Sequence, residues 1–174
     1  MKRNLILGMA LLLMAAFAFA ELPVGKVAPL ITLSGKLGGR IDGSPWSSSE
    51  LTGKVWVVFY ADPDESDLND HAADALKAEK FSDEQYGSVA VVNMAATWKP
   101  NRIIEMILGK KQKSFPSTIY VKDYEKTLVS KWNLADDSND VVAFNKEGVV
   151  IFSRDGKLSD DDLTQLIKVI HENL

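Results

Sequence analysis

One stretch constrains the fold more than any other: residues 53 to 81, GKVWVVFYADPDESDLNDHAADALKAEKF. Its opening run is apolar on both faces, with Val55, Val57 and Phe59 on one side and Trp56, Val58 and Tyr60 on the other. Such a strand is out of water only if both faces of its sheet are covered, so the run predicts a central strand of an α/β fold. An acidic turn follows, and then Leu68, Ala72, Ala75 and Leu76 recur at helical spacing. Strand, turn and helix make half of a βαβ unit. In open α/β sheets ligands gather beyond the carboxyl ends of central strands, which directs attention to Asp62 through Asp67.

The beginning of the chain has a different character. Lys2 and Arg3 precede an apolar run from Leu5 to Phe19, and Ala18-Phe19-Ala20 supplies small residues ahead of Glu21. This pattern predicts a signal peptide over residues 1–20, cleaved between Ala20 and Glu21, and a single domain over residues 21–174. The expected compartment is the periplasm of a Gram-negative cell. No later run approaches the roughly 20 apolar residues of a membrane-spanning helix, so no stable membrane insertion is expected after cleavage.

Charge and cysteine content narrow the chemistry. The chain has 20 Lys and Arg against 24 Asp and Glu, and loss of Lys2 and Arg3 leaves a formal charge of about −6. Duplex binding needs clustered cations, and the one basic cluster, Lys110, Lys111 and Lys113, reads as a solvated helix end, so no nucleic-acid partner is expected. The absence of cysteine excludes disulfide exchange, thiol peroxidase chemistry and thiolate metal sites.

The remaining segments extend the α/β pattern. Leu30 to Leu33 predicts a short strand, Gly35 to Gly43 a glycine-rich hairpin, and Ser47 to Glu50 a capping box opening one helical turn. Val89 to Met94 predicts a second buried strand, parallel to the first. Pro100 should open a helix with Ile103, Ile104, Ile107 and Leu108 on its inner face and Gly109 near its end. Ile119 to Val121 is a third strand, and Leu128, Val129 and Trp132 mark a short helix. The connection from Ala135 to Asp140 should be acidic and exposed. Val141 to Phe144 and Val149 to Phe152 predict a hairpin turning at Gly148, and Ser159 caps a last helix with Leu163, Leu166, Ile167 and Ile170 in one stripe. Trp46 and Trp132 border apolar segments and read as packing residues, and His171 as a cap on a fraying helix end.

With these elements in place, PWSSSELTGKVWVVFYADPDES, FPSTIYVKDYEKTLVSKWNL and VVAFNKEGVVIFSRDGKLSDDDLTQLI resemble the thioredoxin-like fold in its peroxiredoxin and TlpA-like elaboration. More narrowly, KKQKSFPSTIYVKD, KWNLADDSNDVVAFNKEG and RDGKLSDDDL are similar to the YtfJ-like family of exported bacterial proteins. The resemblance implies a three-layer fold with a central mixed sheet, helices on both faces and an N-terminal hairpin, together with a periplasmic location. It implies no established activity. Laid on the redox motif of thioredoxins, FYADPDESD puts Asp64 and Asp67 where the two cysteines stand and Asn139 near the position of the usual cis-proline. Pro116 falls elsewhere, so redox catalysis has no residue to run on.

What remains at the motif position is a set of carboxylates. Asp62, Asp64, Glu65, Asp67 and Asp70, with Trp98 from the turn after the second strand, define an expected binding face for a periplasmic protein partner. No cofactor is expected and no catalytic residue is assigned. The alternative is a divalent-cation site, or a cation-dependent hydrolase, using Asp64, Asp67 and His71, with Asp67 and His71 four apart on one helix face. Acids at a helix start also satisfy free backbone N–H groups and the helix dipole, and calcium-loop spacing is absent.

Overall fold

The computed structural model describes residues 21–174; the signal segment read at residues 1–20 lies outside them. In chain order the elements are β1 (Thr32–Leu33), β2 (Gly38–Arg40), β3 (Trp46–Ser47), β4 (Val55–Ala61), α1 (Asp70–Ala78), β5 (Tyr86–Asn93) and α2 (Asn101–Ser114). They continue through β6 (Thr118–Asp123), α3 (Thr127–Trp132), β7 (Asn139–Phe144), β8 (Val150–Arg154) and α4 (Asp160–His171). Six strands form one mixed sheet in the order β2-β6-β5-β4-β7-β8, with β4, β5 and β6 parallel and β7, β8 and β2 antiparallel to their neighbours. The strand apolar on both faces is therefore central, as its pattern requires.

Helices cover both faces. On one, Trp56, Val58 and Tyr60 of β4 pack with Leu128 and Trp132 of α3 and with Leu33 and Trp46 of the N-terminal segment. On the other, Val55 and Val57 meet Ala72 and Leu76 of α1 and Leu166 and Ile170 of α4. Each fully buried aliphatic side chain contributes roughly 1.5–3 kcal/mol. Trp132 is both packed and tied, its Nε1–H donating to the Pro29 carbonyl at 2.7 Å. Capping boxes form at Ser47 with Glu50 and at Ser159 with Asp162.

Several expectations are corrected. The glycine-rich stretch is not a self-contained hairpin: β1 pairs with β3, and β2 leaves to become an edge strand of the main sheet beside β6. Gly38, at φ 131°, is required there, because a Cβ would run into the Lys122 carbonyl. α2 continues past Gly109 to Ser114, and only Ile104 and Leu108 are buried, while Ile103 and Ile107 are 47% and 44% exposed. Asn139 and Asp140 belong to β7 and are buried, so the 135–140 connection is exposed only in part. His171 does not merely cap a helix; its Nε2 lies 2.7 Å from Glu79 Oε2, and its ring packs edge-on against Phe81.

Candidate functional site

The acidic turn leaves the carboxyl end of β4 and is folded by its own backbone. Asp62 N–H donates to Ser138 O at 2.8 Å, which keeps the departing chain on β7. Glu65, Leu68 and Asp70 N–H groups then bond to the carbonyls of Asp62, Glu65 and Asp67 in successive turns. These turns delay α1 until Asp70, so Asp67 is not helical and the expected Asp67–His71 pairing on one helix face does not form.

Asp62 is only 5% exposed. Its Oδ1 accepts the Asp64 N–H at 2.7 Å, and burial, with Asp64, Asp137 and Glu65 nearby, pushes its carboxyl above the usual range. It organises the turn from inside. Asp64 is engaged with the loop after β5: Thr97 Oγ1 donates to its Oδ2 at 2.7 Å, and Lys99 Nζ forms an ion pair with its Oδ1. Those bonds hold the Asp64 carboxyl below its ordinary value. Lys99 N–H also bonds to Thr97 Oγ1 at 3.2 Å. Trp98 sits between these two anchors and is 87% exposed. Glu65, Asp67 and Asp70 are exposed, and none is in an ion pair among the described residues.

Two asparagines secure the turn. Asn69 is buried, and its Nδ2 donates to Gly156 O at 2.9 Å and to Asn139 O and Oδ1 at 3.2 and 3.3 Å. Its Oδ1 accepts Leu158 N–H at 2.9 Å. Asn139 Nδ2 in turn donates to Glu65 O. His71 Nε2–H donates to Leu158 O at 3.0 Å, which aims the ring at the β8–α4 connection. The structure thus does not bring Asp64, Asp67 and His71 together, and no group of three or more His, Cys, Asp or Glu among the described residues is disposed to hold a metal ion.

A second polar cluster lies on the opposite sheet face. Tyr60 and Asp140 stand side by side on β4 and β7, and Asn93 and Asp123 on β5 and β6. Tyr60 OH approaches Asp123 Oδ2 at 3.4 Å, and Asp123 also accepts Leu128 N–H at the start of α3. Asn93 Nδ2 donates to Asp136, whose carboxylate takes Lys126 Nζ at 2.6 Å. Asp140 Oδ1 accepts Ala135 N–H at 3.3 Å, and its Oδ2 has no partner among the described residues. Burial first, then the carboxylates of Asp155 and Glu21, pushes Asp140 up to about 8. The sequence signal for this cluster was a polar residue at the end of each apolar strand run.

The sheet order and the helices on both faces define a thioredoxin-like fold. In agreement, the exposed lipoprotein thioredoxin Etrx1 of Streptococcus pneumoniae superimposes with a TM-score of 0.59 at 14% identity, covering 83% of this chain and 99% of that one. The chain belongs to the family described as bacterial proteins of unknown function, YtfJ_HI0045, which matches residues 33–173. An uncharacterized protein of Haemophilus influenzae is 28% identical over 156 residues, 87% of this chain and 83% of the relative. The uncharacterized protein YtfJ of Escherichia coli is 25% identical over 132 residues, 74% and 72% of the two chains. The sequence contains no cysteine, so this thioredoxin-like fold carries no thiol.

Proposed function

We propose that this protein is a periplasmic binding module on a thioredoxin-like scaffold, docking a partner protein at the face built by the acidic turn and Trp98. The observation that carries the reading is the pinned tryptophan: Asp64 holds Thr97 and Lys99 on either side of a Trp98 that is 87% exposed. The loop that presents this large aromatic side chain is tied on both sides of it, so less backbone ordering entropy is lost when a partner arrives. Tryptophan is also enriched among residues that dominate interface energies. Glu65, Asp67 and Asp70 next to it favour a partner surface rich in Lys or Arg, and their charges steer its approach.

Export rests on the pattern of residues 1–20, and among the described residues no helix is long and apolar enough to cross a membrane. The test is a photo-crosslinking residue placed at position 98 in the native host, with position 36 as an exposed control. A discrete adduct formed at 98 but not at 36, in the fraction released by osmotic shock, supports both docking and location. Equal labelling at the two positions, or a protein retained in the cytoplasm, contradicts the reading.

A further inference from the structure

The sheet face under α1 and α2 carries two separate apolar clusters. One is gathered by α1 and α4 over β4, β7 and β8, the other by α2 over β5 and β6. Between them lies a cleft of about 540 Å³. The cross-strand register explains the hollow. Phe59, Ala90 and Tyr120 stand side by side on β4, β5 and β6, and Val57, Ser88 and Thr118 form the row one step earlier. β5 runs down the middle and contributes only a methyl and a hydroxymethyl group to these rows. The larger β5 side chains on this face, Tyr86 and Val92, stand at the two ends of the strand and pack into the flanking clusters, so none rises between them to close the gap between the helices.

The two ends of the cleft carry opposite charge. α1 and α2 each connect parallel strands, so both run back along the sheet and both begin at the end where Ser66, Asp70 and Lys99 line the cleft, the Lys99 charge being taken up by its ion pair with Asp64. At the far end Lys77 of α1, Lys80 just beyond it and Lys111 of α2 converge from opposite walls. None of the three is in an ion pair among the described residues, and Lys77 Nζ lies 5.1 Å from the centre of the Phe115 ring. Asp83 is the acid at that end, and Asp74 lies one turn of α1 nearer the acidic turn.

We propose that this cleft binds a single-chain amphiphile with an anionic head. The chain lies on Phe59, Ala90 and Tyr120, and the head rests among Lys77, Lys80 and Lys111. The volume falls in the lower half of the range for small-ligand sites, roughly 300–1,000 Å³, which suits one chain. Apolar atoms of Phe59, Phe115 and Ile107 that face water in the open cleft would be covered by such a chain. The carboxylates at the near end and the ammonium groups at the far end fix which way the ligand lies. The head site is at the opposite end of the cleft from the proposed docking face, so either proposal stands without the other.

Calorimetry and amide-shift mapping with decanoate, decyl phosphate and 1-decanol, each below its aggregation threshold, test the proposal. At least one of the two anions should bind saturably and about tenfold or more tighter than decanol, with shifts at Ser88, Ala90 and Thr118. A preference for decanoate identifies a free fatty-acid head, and a preference for decyl phosphate a phosphorylated lipid head. In the Lys77→Gln, Lys80→Gln, Lys111→Gln variant, which alters surface residues only, the advantage of the anion should vanish while decanol binding persists. Absence of saturable anion binding, equal affinity for decanol, or shifts confined to Trp98 and Ile103 would overturn it.

Discussion

Asn139 Nδ2 donates to the Glu65 carbonyl oxygen at 3.2 Å, so the first residue of β7 holds the acidic turn from the strand next to β4. Asn139 is paired with Ala61 at the carboxyl end of β4, where the turn departs. Its side-chain amide braces the turn directly. The brace is completed by Asn69, whose side chain reaches β7 and the connection between β8 and α4.

Asn69→Ala removes a buried amide and strands the Gly156 carbonyl and the Leu158 N–H. Urea unfolding should register a loss of about 2–4 kcal/mol. Asn69→Asp should lose nearly as much, because a carboxylate accepts from Leu158 but donates to neither Asn139 nor Gly156. A loss as small as that of a surface substitution would show that the turn stands without this brace.

Asp140 makes stability depend on pH in an unusual direction. Its folded value of about 8 lies above the ordinary carboxyl value of 3.8, so between those limits the folded state holds a proton that the unfolded state has released. Its contribution is complete below about pH 4, falls as pH rises, and is gone above about pH 8. Asp140→Asn keeps an acceptor for Ala135 N–H and cannot ionise. It should raise stability at pH 8 by about 1–4 kcal/mol and flatten the slope between pH 5 and pH 8. Parallel wild-type and variant curves would contradict the assignment.

What could be read ahead of the structure follows from how local each signal is. Val55 to Tyr60 is apolar on both faces, and only a covered central strand satisfies that, so β4 and its parallel partner β5 were legible. The helix after β4 was placed too early because Leu68 shares the spacing of Ala72 and Leu76, while the turns that delay α1 are backbone bonds with no side-chain signature. Asn69 was not legible, since its partners lie 70 to 89 residues away. Ile103 and Ile107 have the spacing of an inner face, but among the described residues only Ile104 and Leu108 of α2 are buried in the cluster it forms with β5 and β6. Asp140 looked like part of an exposed acidic connection because its burial comes from pairing with Tyr60 in the middle of the sheet.

Gly38 tests the edge of that sheet. Gly38→Ala places a methyl group against the Lys122 carbonyl at a φ that L-residues avoid. The variant should lose about 2 kcal/mol or more and show faster amide exchange in β2 and in the β6 groups paired with it. Unchanged exchange would mean that β2 contributes little to the ladder.

Asp64 tests the loop that carries Trp98. Asp64→Asn removes the ion pair with Lys99 while leaving an oxygen for Thr97, and the 95–100 loop should exchange amide hydrogens faster without a change in the global midpoint. Because the Asp64 carboxyl is held below its ordinary value, the wild-type loop should loosen in the same way only as the solution is acidified through that lowered value.

The most direct test compares the affinity of the crosslinked partner for the wild-type protein, Trp98→Ala and Asp64→Asn. An 87% exposed side chain contributes little to folding, so Trp98→Ala should unfold at the wild-type midpoint yet bind at least about tenfold more weakly. Asp64→Asn, which frees the loop, should fall between the two. Wild-type affinity in Trp98→Ala would contradict the account and remove this face from the function of the protein.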